Sequence, residues 1–183
     1  MLEIRFHGRG GQGIVVGSSI LGMAYFYSGN QVQFFPEFGV ERRGAPLQAF
    51  LRVSGTKIRE HYNIYEPDHI ILFDSALLKS VNVAEGLKDG GWILINSRKA
   101  HGEFKFDNKY RIAIIDADGI SLENKLGSEA SPIINAAVAG AFARVVGNLP
   151  FDSVARAITE CVPAKIEENI MSAKTAFEKV MMG

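Results

Sequence analysis

The chain has 183 residues, 47% of them hydrophobic and 22% charged, with 20 basic side chains balancing 20 acidic ones. These figures suit one soluble domain spanning 1–183 with a sizeable core, and the neutral balance gives no electrostatic footing for general nucleic-acid binding. A single cysteine, Cys161, excludes an intrachain disulfide and an iron–sulfur cluster held by this chain alone, since a cluster needs several thiolates. No apolar run approaches ~18 residues, so no transmembrane helix is expected. Residues 1–5 lack the basic head and apolar stretch of a signal peptide, and a cytoplasmic location is expected.

Residues 2–7 predict a first strand. A turn follows, His7-Gly8-Arg9-Gly10-Gly11-Gln12-Gly13, and then a helix over 13–28 whose broad apolar stripe includes Ile14, Ile20, Leu21 and Ala24, with Gly29 as its stop. Residues 31–35 predict a second strand, ended by Pro36. Residues 46–53 predict a third, and Ser54-Gly55-Thr56-Lys57 a hairpin turn after which 58–60 pair back.

The apolar run 69–73 predicts a central parallel strand buried on both faces. Asp74-Ser75 predicts a cap and 76–87 a helix. Strands follow at 92–95 and 111–115, separated by a loop-like stretch over 96–110 with room for a small hairpin. A short helix is expected from Asp118 or Gly119 to 126. Ser131-Pro132 predicts the start of a helix ending at Gly147. Two more helices are expected, one through Cys161 and one from Pro163, where Ile166, Ile170, Ala173, Phe177 and Val180 share a face. Alternating strands and helices predict an α/β fold: a mainly parallel sheet with helices on both faces.

Gly8, Gly10 and Gly13 match G-x-G-x-x-G in a strand–turn–helix setting. Two readings stay open: a cradle for the phosphates of a nucleotide-like ligand, or a tight turn that only packs the helix on the sheet. Arg9 and Gln12 would add donors to an anion. A dinucleotide site needs an acid at the end of the second strand, about 20 residues on. Residues 31–35 supply none, and Glu37 lies beyond Pro36, so a nicotinamide-dependent dehydrogenase is disfavoured.

Phe34-Phe35-Pro36-Glu37-Phe38-Gly39-Val40-Glu41-Arg42-Arg43-Gly44-Ala45-Pro46 is the second notable segment. So apolar a loop either folds over its own core or is covered by a partner chain. Arg42 and Arg43 suit bidentate binding of phosphate or carboxylate. Among the histidines, His7 ends the first strand and could face the glycine turn; His61, His69 and His101 lack metal-ligand spacing. Asp74 and Asp116 read as caps or turn residues. No catalytic residue and no metal ligand is assigned.

With Ile4-Arg5-Phe6-His7-Gly8-Arg9-Gly10-Gly11-Gln12-Gly13 and Phe35 to Pro46 in view, together with Ile64-Tyr65-Glu66-Pro67-Asp68, the chain resembles the gamma subunit of the 2-oxoacid:ferredoxin oxidoreductases. The resemblance runs over essentially the whole chain. It implies a Rossmann-like three-layer α/β domain within an enzyme that converts a 2-oxoacid, pyruvate first among them, to acyl-coenzyme A and carbon dioxide, passing electrons to ferredoxin or flavodoxin. It implies alpha, beta and delta subunits as partners, which carry thiamine diphosphate with its magnesium and the iron–sulfur clusters. For this chain it implies assembly and a share in coenzyme A binding. The glycine turn, with Gly8, Arg9, Gly10, Gly11, Gln12 and Gly13, is expected to take the coenzyme's pyrophosphate and Arg42 or Arg43 its ribose 3′-phosphate, and neither nucleic acid nor a membrane is expected as a partner. An isolated chain is expected to be inactive.

Overall fold

A computed structural model of the chain describes residues 1–37 and 44–183. Among these residues nine strands and five α-helices follow in the order β1 (Leu2–Arg9), α1 (Ile14–Tyr27), β2 (Gln31–Pro36), β3 (Pro46–Ser54), β4 (His69–Leu72), β5 (Trp92–Asn96), β6 (Arg111–Ile115), α2 (Ala117–Glu123), β7 (Gly127–Ser128), β8 (Ser131–Pro132), α3 (Asn135–Val146), α4 (Phe151–Cys161), α5 (Ile166–Lys179) and β9 (Met181–Met182). Seven strands form one sheet in the order β2-β3-β1-β4-β5-β6-β9. β1, β4, β5 and β6 run parallel, while β3 runs antiparallel to β1 and to β2, and β9 antiparallel to β6. None of the described helices is long and apolar enough to cross a membrane.

Strand alternation divides the core. Ile4 and Phe6 of β1, Leu51 of β3, Ile71 of β4, Leu94 of β5 and Ala113 of β6 pack with side chains from the α-helices in the larger buried cluster. The other faces of β4 and β5 bury Ile70, Leu72, Ile93 and Ile95 under Leu77, Val83 and Leu87. That second layer is where the structure departs from expectation. The side chains covering it come from a 3-10 turn (Ser75–Lys79) and irregular chain, and the predicted helix over 76–87 does not form. The α/β fold with a parallel strand core stands, but the α-helices gather on one face and the opposite layer holds no α-helix among the described residues.

The reason lies partly in Arg5. Its guanidinium donates to the carbonyls of Val83 and Glu85 from one side and to those of Ile64 and Tyr65 from another. The Val83 carbonyl is thereby turned away from the Leu87 N–H it would meet in a helix, and that N–H bonds the Ala84 carbonyl instead, at 3.0 Å. Gly86, at φ 72° and pressed against the Tyr65 carbonyl, reinforces the irregular path.

Three further boundaries differ. Residues 58–60 do not pair back on β3, whose two edges are already taken by β1 and β2. Ser131-Pro132 does not cap a helix; it forms a two-residue ladder with Gly127–Ser128, and α3 starts at Asn135 after an Ile134 that offers no side-chain cap. The last helix begins at Ile166, because Lys165 adopts a left-handed conformation (φ 53°). The stretch 96–110 holds a 3-10 turn at His101–Glu103 and no hairpin.

α3 and α5 touch closely at Gly140, where an added Cβ would overlap the main-chain carbonyl of Ala173. The Ala173 backbone belongs to α5 and cannot yield without moving that helix. Gly140→Ala is therefore expected to destabilise the fold by about 2 kcal/mol, overpacking outweighing the ~1 kcal/mol gain in helix propensity. Denaturant unfolding of the variant checks this; a neutral or stabilised variant would contradict the close approach.

Candidate functional site

The chain leaves β1, passes through α1 to β2 and β3 on one side, and returns to β4 on the other side of β1. β1 is thus a point where strand order changes direction, and ligands in open α/β sheets bind outside the carboxyl ends of strands at such a point. A cavity of about 410 Å³ lies there. The turn after β1 contributes Gly11 and Gln12, the end of β4 contributes Phe73, Asp74 and Ser75, and the end of β5 contributes Asn96, Ser97 and Arg98. Asp118 of α2 and the segment leading into α3, including Ile134, close the far wall.

The glycine turn does not act as one unit. Gly8 is still inside β1, paired with Leu47, and a Cβ there would lie 2.7 Å from Ile14 Cδ1. Its smallness lets α1 approach the strand. Gly10 is tied on both sides to the segment before β3: its N–H donates to the Ala45 carbonyl (3.0 Å) and its carbonyl accepts from Gly44 N–H (3.2 Å). Gly11 and Gly13 take positive φ, 92° and 76°, and their N–H groups find no partner among the described residues. The first intrahelical bond of α1 runs from Gly17 N–H to the Gly13 carbonyl (2.9 Å). The amides of 14–16 therefore lack acceptors within the helix, and this is the end where anions are favoured.

Arg9 and Gln12 are engaged inside the protein. Arg9 Nε pairs with Asp74 Oδ2 at 2.6 Å, and its terminal nitrogen donates to the Gly44 carbonyl at 3.1 Å. Gln12 Oε1 accepts the Arg9 N–H at 2.7 Å. Asp74 also caps the 3-10 turn by accepting from Ala76 N–H (2.9 Å), and Asp116 accepts from Gly119 N–H (2.8 Å), so both act as caps as expected. Arg42 and Arg43 lie outside the described residues. Of their segment, Phe34 and Phe35 form part of β2 and point to opposite faces: Phe34 packs at Gly22 of α1, and Phe35 lies 5.2 Å from the Phe50 ring.

Linear order hides several residues that the fold assembles here. Asn96 Nδ2 donates to the Phe73 carbonyl (3.0 Å) and to Asp118 Oδ1 (3.2 Å), while its Oδ1 accepts from Ala117 N–H (2.9 Å). It fastens the ends of β4, β5 and β6 into one rim. Asn135 lies under the glycine turn, its Cβ 3.8 Å from where a Cβ on Gly17 would sit. A buried asparagine at the start of a helix carries no signal in the sequence that separates it from a cap.

His7 does not face the glycine turn. Strand alternation places it with Arg5 on the sheet face away from α1, where it is 3% exposed and its Nε2 accepts from Arg5 Nε at 3.0 Å. Burial and, secondarily, the Arg5 charge push its pKa down to about 3. His69 opens β4, its Nδ1 accepting from Trp92 N–H (3.2 Å). Among the described residues no three His, Cys, Asp or Glu side chains come together to hold a metal ion.

β2 is separated from β1 by β3. The position where a dinucleotide-binding fold reads the ribose, at the tip of a second strand adjacent to the first, is absent from this topology. Comparison with known proteins agrees. The model of the family described as pyruvate ferredoxin/flavodoxin oxidoreductase matches residues 3–179. The chain is 46% identical over 181 residues to pyruvate synthase subunit PorC of Methanothermobacter marburgensis, covering 98% of both chains. It is 46% identical over 186 residues to the pyruvate/ketoisovalerate oxidoreductases common subunit gamma of Thermococcus kodakarensis, covering 100% of this chain and 98% of that one. The crystal structure of pyruvate oxidoreductase subunit PORC from Thermotoga maritima superposes with a TM-score of 0.84 at 31% identity, covering 100% and 98%. A crevice at the strand ends, a glycine turn with free amides and full-length likeness to these subunits lead to one conclusion: the chain belongs to the pyruvate ferredoxin/flavodoxin oxidoreductase family, as a gamma subunit.

Proposed function

We propose that this subunit takes the phosphate end of coenzyme A at the crevice between β1 and β4, while alpha, beta and delta subunits hold thiamine diphosphate, magnesium and the iron–sulfur clusters. Pyruvate is the 2-oxoacid, ferredoxin or flavodoxin the electron acceptor, and the cytoplasm the compartment. The observation that carries this reading is the cavity of about 410 Å³ lined on its glycine-turn side by Gly11, whose amide has no acceptor among the described residues, and by Gln12. Its volume falls within the range of small-molecule sites, roughly 300–1,000 Å³. Coenzyme A carries a pyrophosphate, which suits a helix start, and a ribose 3′-phosphate, which suits the planar fork of Arg42 or Arg43.

The test is the double variant Arg42→Ala/Arg43→Ala in the assembled enzyme. Loss of a charge-assisted contact is expected to raise KM for coenzyme A by about tenfold or more, with kcat little changed. A second reading has its own support. Gly8 and Gly10 serve packing, and Arg9 and Gln12 bond within the protein, as in a subunit that only completes the assembly. If the double variant alters subunit stoichiometry and leaves KM unchanged, that second reading holds.

A further inference from the structure

Among the described side chains that line the cavity of about 410 Å³, one is cationic: Arg98, two residues past the end of β5. The main chain around it is held in place. Ser97 N–H donates to the Ile115 carbonyl at 2.9 Å, and Ser97 Oγ accepts from Lys99 N–H at 3.0 Å. The Arg98 side chain is held far more loosely. Its Nε stands 3.4 Å from both Oδ1 and Oδ2 of Asp116, and its two terminal nitrogens have no acceptor among the described residues. A charge-assisted N–H···O bond is ordinarily about 2.7–2.9 Å long. Both side chains of the pair are exposed, at 67% and 41%, so the pair does little for the fold. Asp116 has a task of its own, accepting from Gly119 N–H at 2.8 Å to cap α2. An anchored backbone thus carries a guanidinium whose fork is spare at the cavity wall.

We infer that Arg98 is a ligand-binding residue whose terminal nitrogens donate to the pyrophosphate of coenzyme A from the β5 side of the crevice. This rests on the reading of the crevice as a coenzyme A site and adds the side chain that meets the diphosphate across from the glycine turn. β4 lies between β1 and β5, so the walls carrying Gly11 and Arg98 stand two strand spacings apart, roughly 10 Å. A diphosphate bears oxygens on both phosphorus atoms and can meet both walls, where a single carboxylate meets one. The planar fork also suits two oxygens at once. Charge argues the same way. Asp74 is compensated by Arg9 at 2.6 Å, which leaves Asp118 and Arg98 as the remaining charges of the lining, opposite in sign. The Asn96 amide bonds Asp118 Oδ1 at 3.2 Å but leaves its charge in place. With Arg98 the lining is balanced; without it, Asp118 would repel an entering anion.

Arg98→Ala removes both fork and charge, and Arg98→Lys returns the charge without the fork. Steady-state kinetics of the assembled oxidoreductase reads the contact, with coenzyme A and with dephospho-coenzyme A, which lacks the ribose 3′-phosphate. Arg98→Ala is expected to raise KM for both by the same factor, about tenfold or more, the loss appearing in KM and not in kcat. Arg98→Lys should fall between parent and Arg98→Ala. The Arg42→Ala/Arg43→Ala variant, by contrast, should raise KM for coenzyme A and leave that for dephospho-coenzyme A unchanged. The inference is overturned if Arg98→Ala keeps both KM values within about twofold of the parent. It is also overturned if KM rises for coenzyme A alone, since the guanidinium would then meet the 3′-phosphate, or if the variant enzyme loses a subunit, since Arg98 would then be an assembly contact. The coenzyme A reading outlives a silent Arg98→Ala as long as the Arg42/Arg43 variant raises KM for coenzyme A, and falls with it if neither variant does.

Discussion

Acid should destabilise this protein through one imidazole more than through any other single group described here. His7 sits at 3% exposure with its Nε2 accepting from Arg5 Nε at 3.0 Å, so its proton resides on Nδ1 and the ring is neutral. Protonating Nε2 would set two donors head to head beside a guanidinium in a buried site. The folded-state pKa accordingly falls from 6.5 to about 3, by burial first and the Arg5 charge second. Because the folded value is depressed, the unfolded chain binds the extra proton. The contribution is fully present above pH 6.5 and drains away as pH falls from 6.5 toward 3. It amounts to roughly 5 kcal/mol at the acid end, and about 3 kcal/mol is already gone at pH 4. His7→Gln keeps an acceptor for Arg5 Nε and cannot titrate. Urea unfolding of both proteins between pH 7 and pH 4 should give converging or crossing stability profiles, the variant losing less. Parallel profiles would show that the imidazole is not buried neutral.

Strand and helix positions were legible where one periodicity dominates. Ile4 and Phe6 alternate with Arg5 and His7, and 70–73 is apolar throughout, so β1 and β4 fall where the pattern places them. What alternation cannot say is that the polar face of β1 is also buried. Arg5 and His7 look like a solvent face, yet at 6% and 3% exposure they are core. Arg5 is satisfied by carbonyls at positions 64, 65, 83 and 85, far away in sequence, and His7 by Arg5 itself. The contact to the Val83 carbonyl, with the left-handed Gly86, works against the helix over 76–87, whose sequence satisfies local helix criteria. At Ser131-Pro132 the cap signal is real but is used in a two-residue ladder, and the helix waits until Asn135.

The site divides in the same way. The glycine turn was visible because four glycines in six residues have few reasons to exist. The division of labour inside it was not, since it depends on Ile14 crowding Gly8, on the Ala45 carbonyl accepting from Gly10, and on Asp74 claiming Arg9. Asp74 is 65 residues from Arg9, and Asn135 lies more than a hundred residues beyond the turn. Only folding brings them to one rim.

Arg52 carries the other large effect. Its side chain is fully buried in β3: Nε pairs with Glu3 Oε1 at 2.8 Å, one terminal nitrogen donates to Gln33 Oε1 at 3.1 Å, and the other to the Tyr62 carbonyl at 2.7 Å. The guanidinium also lies 4.9 Å from the Tyr62 ring centroid and 5.8 Å from that of Phe35. One residue thereby joins β1, β2, β3 and the chain at 62, covering the sheet face where no α-helix packs. Arg52→Met fills most of the volume but leaves Glu3, whose side chain is 15% exposed, without its ion-pair partner. Removing one partner of such a pair costs about 3–5 kcal/mol, whereas replacing both with apolar groups is often close to neutral. At about 2–4 °C per kcal/mol for a chain this long, the thermal midpoint should fall by roughly 10 °C. Adding Glu3→Leu should restore part of that loss, because the orphaned carboxylate leaves with its partner. Thermal unfolding of the single and double variants checks both halves. A single variant melting within about 2 °C of the parent would mean that Arg52 only fills space, and a double variant less stable than the single would mean that the cost lies in the contacts to Gln33 and Tyr62 and not in the unpaired charge.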